Sequence, residues 1–143
     1  MILPLLRFPP FEGKRGRASV EFPADGVVSI KASGHADLEM IQYIIHACEA
    51  AITRSDTIEI FHDLGDLQSQ DPQARDSYLE WGERRRPHIF RSHVFVRSPM
   101  VAAALAIARL KLDYVVGYTD ASSFEAAKRE AIFKRLEQAK KKA

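Results

Sequence analysis

The residues of this chain that could do chemistry are concentrated in one polar segment, which reads His62-Asp63-Leu64-Gly65-Asp66-Leu67-Gln68-Ser69-Gln70-Asp71. Its imidazole, carboxylates, amides and hydroxyl can donate and accept hydrogen bonds or exchange protons. The segment follows an apolar, strand-like run and precedes a helix start. We predict a binding surface there, because open α/β sheets bind ligands outside the carboxyl ends of their strands. An enzyme using His62, Asp63 and Asp66 as acid–base groups is an alternative.

The motifs of common catalytic and cofactor sites are missing from the sequence. It has no G-x-G-x-x-G, G-x-x-x-x-G-K-[ST], H-E-x-x-H or G-x-S-x-G pattern. The histidines do not stand at metal-ligand spacing; they are His35, His46, His62, His88 and His93. Cys48 falls on an apolar helical stripe, where an inert buried thiol is expected. We expect no catalytic residue, no metal and no cofactor, and therefore a protein that works by binding a partner.

The densest basic cluster is Arg84-Arg85-Arg86, followed by Pro87. These cations could contact phosphate, but at a helix C-terminus they also complement the helix dipole, and the proline stops the helix. The formal net charge is only +2, which is too small to steer the chain toward nucleic acid. Tyr78 and Trp81 could form a stacking platform, although their spacing favours the core. We expect no nucleic-acid partner.

Length and composition predict one compact domain. The chain has 143 residues, of which 46% are hydrophobic and 28% charged, an ordinary globular composition. A single cysteine forms no intramolecular disulfide and favours a reducing cytoplasm. The opening MILPLLRFPPF is broken by prolines and an arginine, unlike a signal peptide. No other apolar run approaches the roughly 20 residues that a membrane span needs.

The pattern of apolar residues defines the elements that must position the polar segment. Residues 18–22 and 27–31 flank Asp25-Gly26 and predict a β-hairpin. From Ala36 to about Arg54 a helical stripe follows, made of Leu38, Ile41, Ile45, Cys48 and Ile52. The β-branched run 57–61 then predicts a buried strand, after which we expect a loop as far as Asp71.

Three further helices are indicated by their start signals. Asp71-Pro72 and Ser98-Pro99 each combine a capping residue with proline at the first helical position. Ser122 and Glu125 suit a capping box before a helix with a lysine-rich end. Strands are predicted at 93–97 and 114–118. The order β-β-α-β-α-β-α-β-α indicates an α/β fold with a single mixed sheet of four to five strands flanked by helices.

We divide the chain into an apolar arm and loop (1–17), one domain (18–139) and a frayed basic tail (140–143). The arm should dock on its own domain or on a second copy as a homodimer, because it would otherwise expose apolar side chains, namely Leu3, Leu5, Leu6, Phe8 and Phe11. The predicted core comprises Leu38, Ile41, Ile45, Ile58, Ile60, Val94, Val96, Leu105 and Val115, with Trp81 at least partly buried.

Parallel strands end at the same edge of a sheet, so the 63–71 segment should lie beside residues 97–99 and 118–123. That edge offers helix starts, hydroxyls and carboxylates. The predicted partner-binding residues are Asp63, Asp66, Gln68, Ser69, Asp71, Arg97 and Ser98.

Three passages carry a resemblance to a known superfamily: FHDLGDLQSQDPQARDSYLEW, HVFVRSPMVAAALAIA and VGYTDASSFEAA. Together with the element order, over residues 18–130, they resemble the STAS-like superfamily, which includes bacterial anti-sigma-factor antagonists and SEC14-like relatives. The resemblance implies a bacterial protein without a catalytic centre that relays signals by docking onto a regulatory protein partner. Its SEC14-like side and the apolar arm imply an alternative, a carrier or sensor of an apolar ligand or lipid.

One departure from the antagonists concerns their phosphorylation site. The resemblance implies an Asp-Leu pair at the strand end and, after a short loop, an Asp-Ser pair whose serine a partner kinase phosphorylates. Asp63-Leu64 matches the first pair and Asp71 matches the second aspartate, but Pro72 stands where the serine is expected. Neither Ser69 nor Ser77 occupies the acceptor position, so control by phosphorylation does not carry over.

Overall fold

The computed structural model describes residues 8–142, which form six strands and four α-helices. The strands are β1 (Phe11–Glu12), β2 (Gly16–Ala24), β3 (Val27–Ala36), β4 (Ile58–Gln70), β5 (Ile89–Val96) and β6 (Val115–Tyr118). The helices are α1 (Leu38–Ser55), α2 (Pro72–Arg84), α3 (Pro99–Lys111) and α4 (Ala121–Lys142), with a short 3-10 helix at Arg86–His88.

All six strands lie in one sheet in the order β1-β2-β3-β4-β5-β6. The first three are antiparallel neighbours, and β3 to β6 are parallel, as helical crossovers require. The hairpin turns at Asp25-Gly26, where Gly26 has a φ of 83°. The α/β class and the single mixed sheet are confirmed. The strand count exceeds the prediction because Phe11–Glu12 pairs with Ala18 and Arg17 at the sheet edge.

Strand β4 is much longer than the sequence predicted. The expected loop from Asp63 is strand as far as Gln70, paired in parallel with β3. The glycine and polar residues suggested a loop, but β3 continues to Ala36 and satisfies the backbone groups of the segment. Register shifts between Lys31 and Ser33 and between Gly34 and His35 let the two strands bend together. The polar residues are thus held on a strand.

Helices cover both faces of the sheet. Helix α1 packs on β2 to β4, and α3 packs on β4 to β6, around a large core that contains Met40, Ile60 and Trp81. Helix α4 covers the opposite face alone, where a smaller core contains Phe61 and Phe124. The two faces therefore have different chemistry, and each has its own site candidates.

The core prediction holds in part, because Val115 of β6 and three of the helix residues are half-buried. The buried members are Ile41, Ile58, Ile60, Val94, Val96 and Trp81. The half-buried members are Leu38, Ile45, Leu105 and Val115. In α1 the fully buried face centres on Met40, Ile44 and Ala47, so the predicted stripe is displaced toward the flank of that face.

The helix caps differ from the predicted set. Asp37 caps α1 by accepting from Met40 N at 3.0 Å, whereas Asp71 and Ser98 make no side-chain cap bond. The Ser122–Glu125 capping box is wrong: Asp120 accepts from the backbone N of Ser122 and Ser123. The hydroxyls of Ser123 and Ser122 also donate to Asp120, and they, followed by the backbone bonds, lower the pKa of its carboxyl group.

Both predicted ends of the domain belong partly to the folded body. Helix α4 includes residues 140–142, the predicted frayed tail, because nothing in that stretch breaks a helix and the lysines complement its dipole. Phe8 of the arm lies 5.8 Å from the Phe22 ring centroid and 6.3 Å from that of Tyr43, and Phe11 lies 5.6 Å from Tyr43. Leu3, Leu5 and Leu6 lie outside the described residues.

Candidate functional site

The carboxyl ends of β4 and β5 meet, as the parallel topology predicted. Asp66 on β4 forms an ion pair with Arg97, with Oδ1 and Nη1 3.9 Å apart. Ser98 donates its hydroxyl to the backbone carbonyl of Gln68 at 3.0 Å. Four predicted residues from two segments some 30 positions apart therefore lie together at one edge of the sheet.

A second polar group at this edge joins β3 to the start of α2. His35 and Ser69 are paired across the two strands, and His35 Nδ1 lies 2.7 Å from Ser69 Oγ. His35 Nε2 lies 2.8 Å from Asp71 Oδ1. Because a carboxylate only accepts, Nε2–H donates to Asp71, while Nδ1 and the Ser69 hydroxyl share the second hydrogen bond. Arg15 Nη1 lies 3.8 Å from the same Asp71 oxygen.

His35 is a site residue that the sequence analysis did not identify. It stands 34 residues from Ser69, so no local spacing relates them. Ser69, His35 and Asp71 are the residue types of a serine-hydrolase triad. However, these three residues do not line the cavity beneath α3 or the groove beside α4, which are described below.

The network changes the role of Asp71. We expected its side chain to cap α2, but the carboxylate is turned toward His35 and Arg15 instead. Only the Asp71 backbone carbonyl serves the helix, by accepting from Arg75 N at 3.1 Å. The start of α2, with Pro72 in its first turn, lacks a side-chain cap and faces the same edge.

The proposed acid–base group does not assemble. His62 lies on the face of the sheet that α1 and α3 cover, away from α4. There its Nδ1–H donates to the His93 carbonyl at 3.2 Å, and its Nε2 accepts from Tyr78 Oη at 2.6 Å. Burial is the main cause that lowers the pKa of His62 to about 4. Asp63 accepts from the backbone N of Gly65 at 3.1 Å, and Asp66 pairs with Arg97. The three side chains serve separate partners.

The basic cluster is occupied by ion pairs. Arg84 lies 3.9 Å from Glu80, and Arg86 lies 2.5 Å from Asp113. Arg85 Nε lies 2.9 Å from Glu49 Oε2, although the angle does not meet hydrogen-bond geometry. These contacts agree with the structural interpretation of the cluster as a helix end.

A cavity of about 100 Å³ lies between the sheet and helices α2 and α3. Its walls are mostly apolar, with Ile60, Val101 and Leu105 among them. Trp81 also lines it and is 2% exposed, and its indole Nε1–H has no hydrogen-bond partner among residues 8–142. Leaving a buried donor without a partner costs free energy.

The core thiol is chemically quiet. Cys48 is fully buried, and burial is the main cause that raises its pKa to about 12. Within residues 8–142, no three His, Cys, Asp or Glu side chains are grouped so that they could hold a metal ion. In the same part of the chain, no helix combines the length and the hydropathy of a membrane span.

No protein-family model matches the chain, and no curated protein matches it in sequence. Among solved structures, a DUF3478-family protein with a SpoIIAA-like fold from Shewanella loihica PV-4 superposes with a TM-score of 0.59 at 16% identity, over 78% of this chain and 92% of that one. An anti-sigma factor antagonist from Mycobacterium paratuberculosis superposes with a TM-score of 0.57 at 18% identity, over 87% and 99%. The chain therefore has a STAS-like fold.

Proposed function

We propose that this chain is a non-catalytic regulatory protein that binds a protein partner through the carboxyl-edge surface. This surface consists of the seven predicted residues together with His35: Asp63, Asp66, Gln68, Ser69, Asp71, Arg97, Ser98 and His35. The observation that carries the proposal is a set of contacts among three segments at one edge of a sheet whose fold is shared with an anti-sigma factor antagonist. Asp66 contacts Arg97, Ser98 contacts the Gln68 carbonyl, and His35 contacts Ser69 and Asp71.

The exposure of the charged pair supports a recognition role. The side chains of Asp66 and Arg97 are 60% and 62% exposed, and their charged atoms are 3.9 Å apart. Such a pair contributes at most about 1 kcal/mol to the fold. Both charges are consequently free to exchange their mutual contact for contacts with a partner, and charged rims of this kind set partner choice and association rate.

The experiment compares two charge reversals in the full chain, Asp66→Lys and Glu80→Lys. Glu80 is the matched control, because it is also exposed and also lies 3.9 Å from an arginine, but at the other end of α2. A partner captured from the source cell is purified, and its affinity for the parent and both variants is measured by calorimetry at physiological salt. We expect Asp66→Lys to weaken binding by roughly tenfold or more and Glu80→Lys to leave it unchanged.

Equal affinity for the parent and Asp66→Lys, together with weaker binding to Glu80→Lys, would place the working surface at the opposite end of α2. Unfolding curves of both variants accompany the measurement. Because both ion pairs are exposed, neither change should lower the free energy of unfolding by more than about 1 kcal/mol.

A second candidate function, a carrier or sensor of an apolar ligand, is favoured by the cavity beneath α3. Its volume of about 100 Å³ is somewhat smaller than engineered cavities of about 150 Å³ that bind benzene. The unpaired indole N–H of Trp81 favours a guest that carries an acceptor oxygen on an apolar body.

The single tryptophan makes this candidate testable by NMR. Titration with 1-hexanol should shift the Trp81 indole N–H resonance in a saturable way, and Ala104→Phe, which fills the cavity lined by Ala104, should abolish the shift. An indole resonance that stays in place, or that responds equally in the variant, would contradict a guest in this cavity.

A further inference from the structure

A groove of about 560 Å³ lies on the opposite face of the sheet, between the strands β4 to β6 and helix α4. Its volume is within the range of small-molecule sites. The carboxyl-edge surface and the cavity beneath α3 have no residue in this groove. It exists because α4 alone covers this face and leaves the amino-terminal half of β5 open.

The floor of the groove carries a buried ionisable pair. His93 Nε2 lies 2.6 Å from Glu59 Oε2, and the two side chains are 6% and 12% exposed. The Tyr118 hydroxyl lies 2.8 Å from His93 Nδ1. The imidazole also stacks on Phe61, with ring centroids 4.2 Å apart and planes at 2°. Because a carboxylate only accepts, Nε2–H donates to Glu59, while Nδ1 shares the second hydrogen bond with the Tyr118 hydroxyl.

This arrangement has no obvious value for stability. Burying ionisable groups costs desolvation, and an apolar pair of similar volume is often as stable or more so. Ionisable groups buried at the base of a groove are instead common at binding sites. The His93 ring is held by two hydrogen bonds and by stacking on Phe61, so the polar floor is organised in advance of binding.

The mouth of the groove carries positive charge. Three cations line it, Arg91, Lys134 and Arg135, against the carboxylates Glu59 and Glu130. Among the described residues, Arg91 has no carboxylate partner, and its guanidinium lies 5.2 Å from the centroid of the Phe90 ring. Lys134 pairs with Glu130 at 3.1 Å, but both side chains are 68% exposed. Because an exposed ion pair contributes little free energy, Lys134 can exchange Glu130 for another anion at little cost.

We propose that this groove binds a small organic anion whose charged group pairs with Arg91 and whose body lies against Phe90 over the Glu59–His93–Tyr118 floor. Guanidinium binds carboxylate and phosphate through paired hydrogen bonds, and the exposed Phe90 ring offers an apolar contact beside that charge. The site goes beyond the proposed protein-binding function and is independent of it.

The test uses benzoate as the probe and benzamide as its neutral counterpart. Both are titrated into the full chain labelled with ¹⁵N at physiological salt, and amide shifts are followed. We expect benzoate to shift the amides of Phe90, Arg91 and Lys134 in a saturable way, and to bind roughly tenfold more tightly than benzamide. Arg91→Gln should weaken benzoate binding by a similar factor.

Arg84→Gln is the matched control, because it removes an exposed arginine at the far end of α2 and should not change the affinity. Equal binding of benzoate and benzamide, or equal loss in the Arg91 and Arg84 variants, would overturn the proposal. Shifts confined to the carboxyl-edge surface would also overturn it. Because the partner-binding experiment does not involve these residues, failure of one test leaves the other unaffected.

Discussion

At the scale of single residues, His35, His62 and His93 lie in three different environments because the strand register places each imidazole at a different part of the sheet. His35 bridges Ser69 and Asp71 at the carboxyl edge, and His93 bridges Glu59 and Tyr118 on the α4 face. His62 is buried on the other face, where it donates to a carbonyl and accepts from Tyr78. Burial is the main cause that lowers the pKa of His62 to about 4.

His62 should make stability depend on pH. Its folded-state pKa of about 4 lies below the ordinary value of 6.5, so the unfolded chain binds the proton more tightly. The stabilisation is complete above about pH 6.5 and is lost as the pH falls toward 4. Between pH 7 and 4.5 the parent should lose about 2–3 kcal/mol more than His62→Gln, measured by urea unfolding. Parallel pH profiles would show that His62 is protonated equally in both states.

At the scale of elements, α1 and α3 are unequal although both are apolar helices on the same face. Helix α1 has seven buried residues and a side-chain cap. Helix α3 has one buried residue, Val101, and no side-chain cap. It exposes Met100, Ile107 and Leu110, the last by 87%. The free energy of local unfolding increases with the number of buried apolar contacts, so α3 should unfold locally more easily than α1.

Hydrogen exchange monitored by mass spectrometry tests this difference. We expect amides in the middle of α3 to exchange at least tenfold faster than those in the middle of α1 at neutral pH, because opening α3 exposes little buried surface. If the cavity beneath α3 takes up 1-hexanol, the ligand should slow exchange in α3 and leave α1 unchanged. Equal protection of the two helices would contradict the prediction.

At the scale of the whole molecule, residues 8–12 pack on the folded body. Phe8 and Phe11 contact rings of β2 and α1, and Phe11–Glu12 adds an edge strand. For residues 8–12, these contacts favour docking on the same domain, which is the first of the two predicted alternatives. A homodimer formed through the arm remains a prediction.

Removal of residues 1–12 should therefore destabilise the domain. Two half-buried phenylalanines and a strand are lost, which corresponds to about 2–3 kcal/mol and a fall in Tm of about 5–10 °C for a chain of this size. Calorimetry measures the Tm, and sedimentation equilibrium compares the mass of the parent and the truncated chain, which stays unchanged if the arm docks only on its own domain. The double variant Phe8→Ala/Phe11→Ala is the control and should reproduce most of the loss. An unchanged Tm would contradict docking, and a halved mass would show that the arm joins two copies.

The sequence by itself determined the local features of this protein. Alternation of apolar residues located the strands, three- and four-residue spacing located the helices, and the Asp-Gly turn located the hairpin. The order of these elements was sufficient for the α/β class and the parallel pairing, and helical spacing was sufficient for the buried state of Cys48 and Trp81. These features can be predicted from the sequence because each depends on residues that are close together along the chain, within one strand, one hairpin turn or two turns of a helix.

Only the tertiary structure decided where the polar residues of the site lie. The extension of β4 to Gln70 depends on backbone pairing with β3, and Asp71 abandons its cap because that pairing brings His35 within 2.8 Å. The separation of His62 from Asp63 and Asp66, and the groove under α4, depend on which face of the sheet each helix covers. Register and face are set by contacts between residues 30 or more positions apart, and no local periodicity records them.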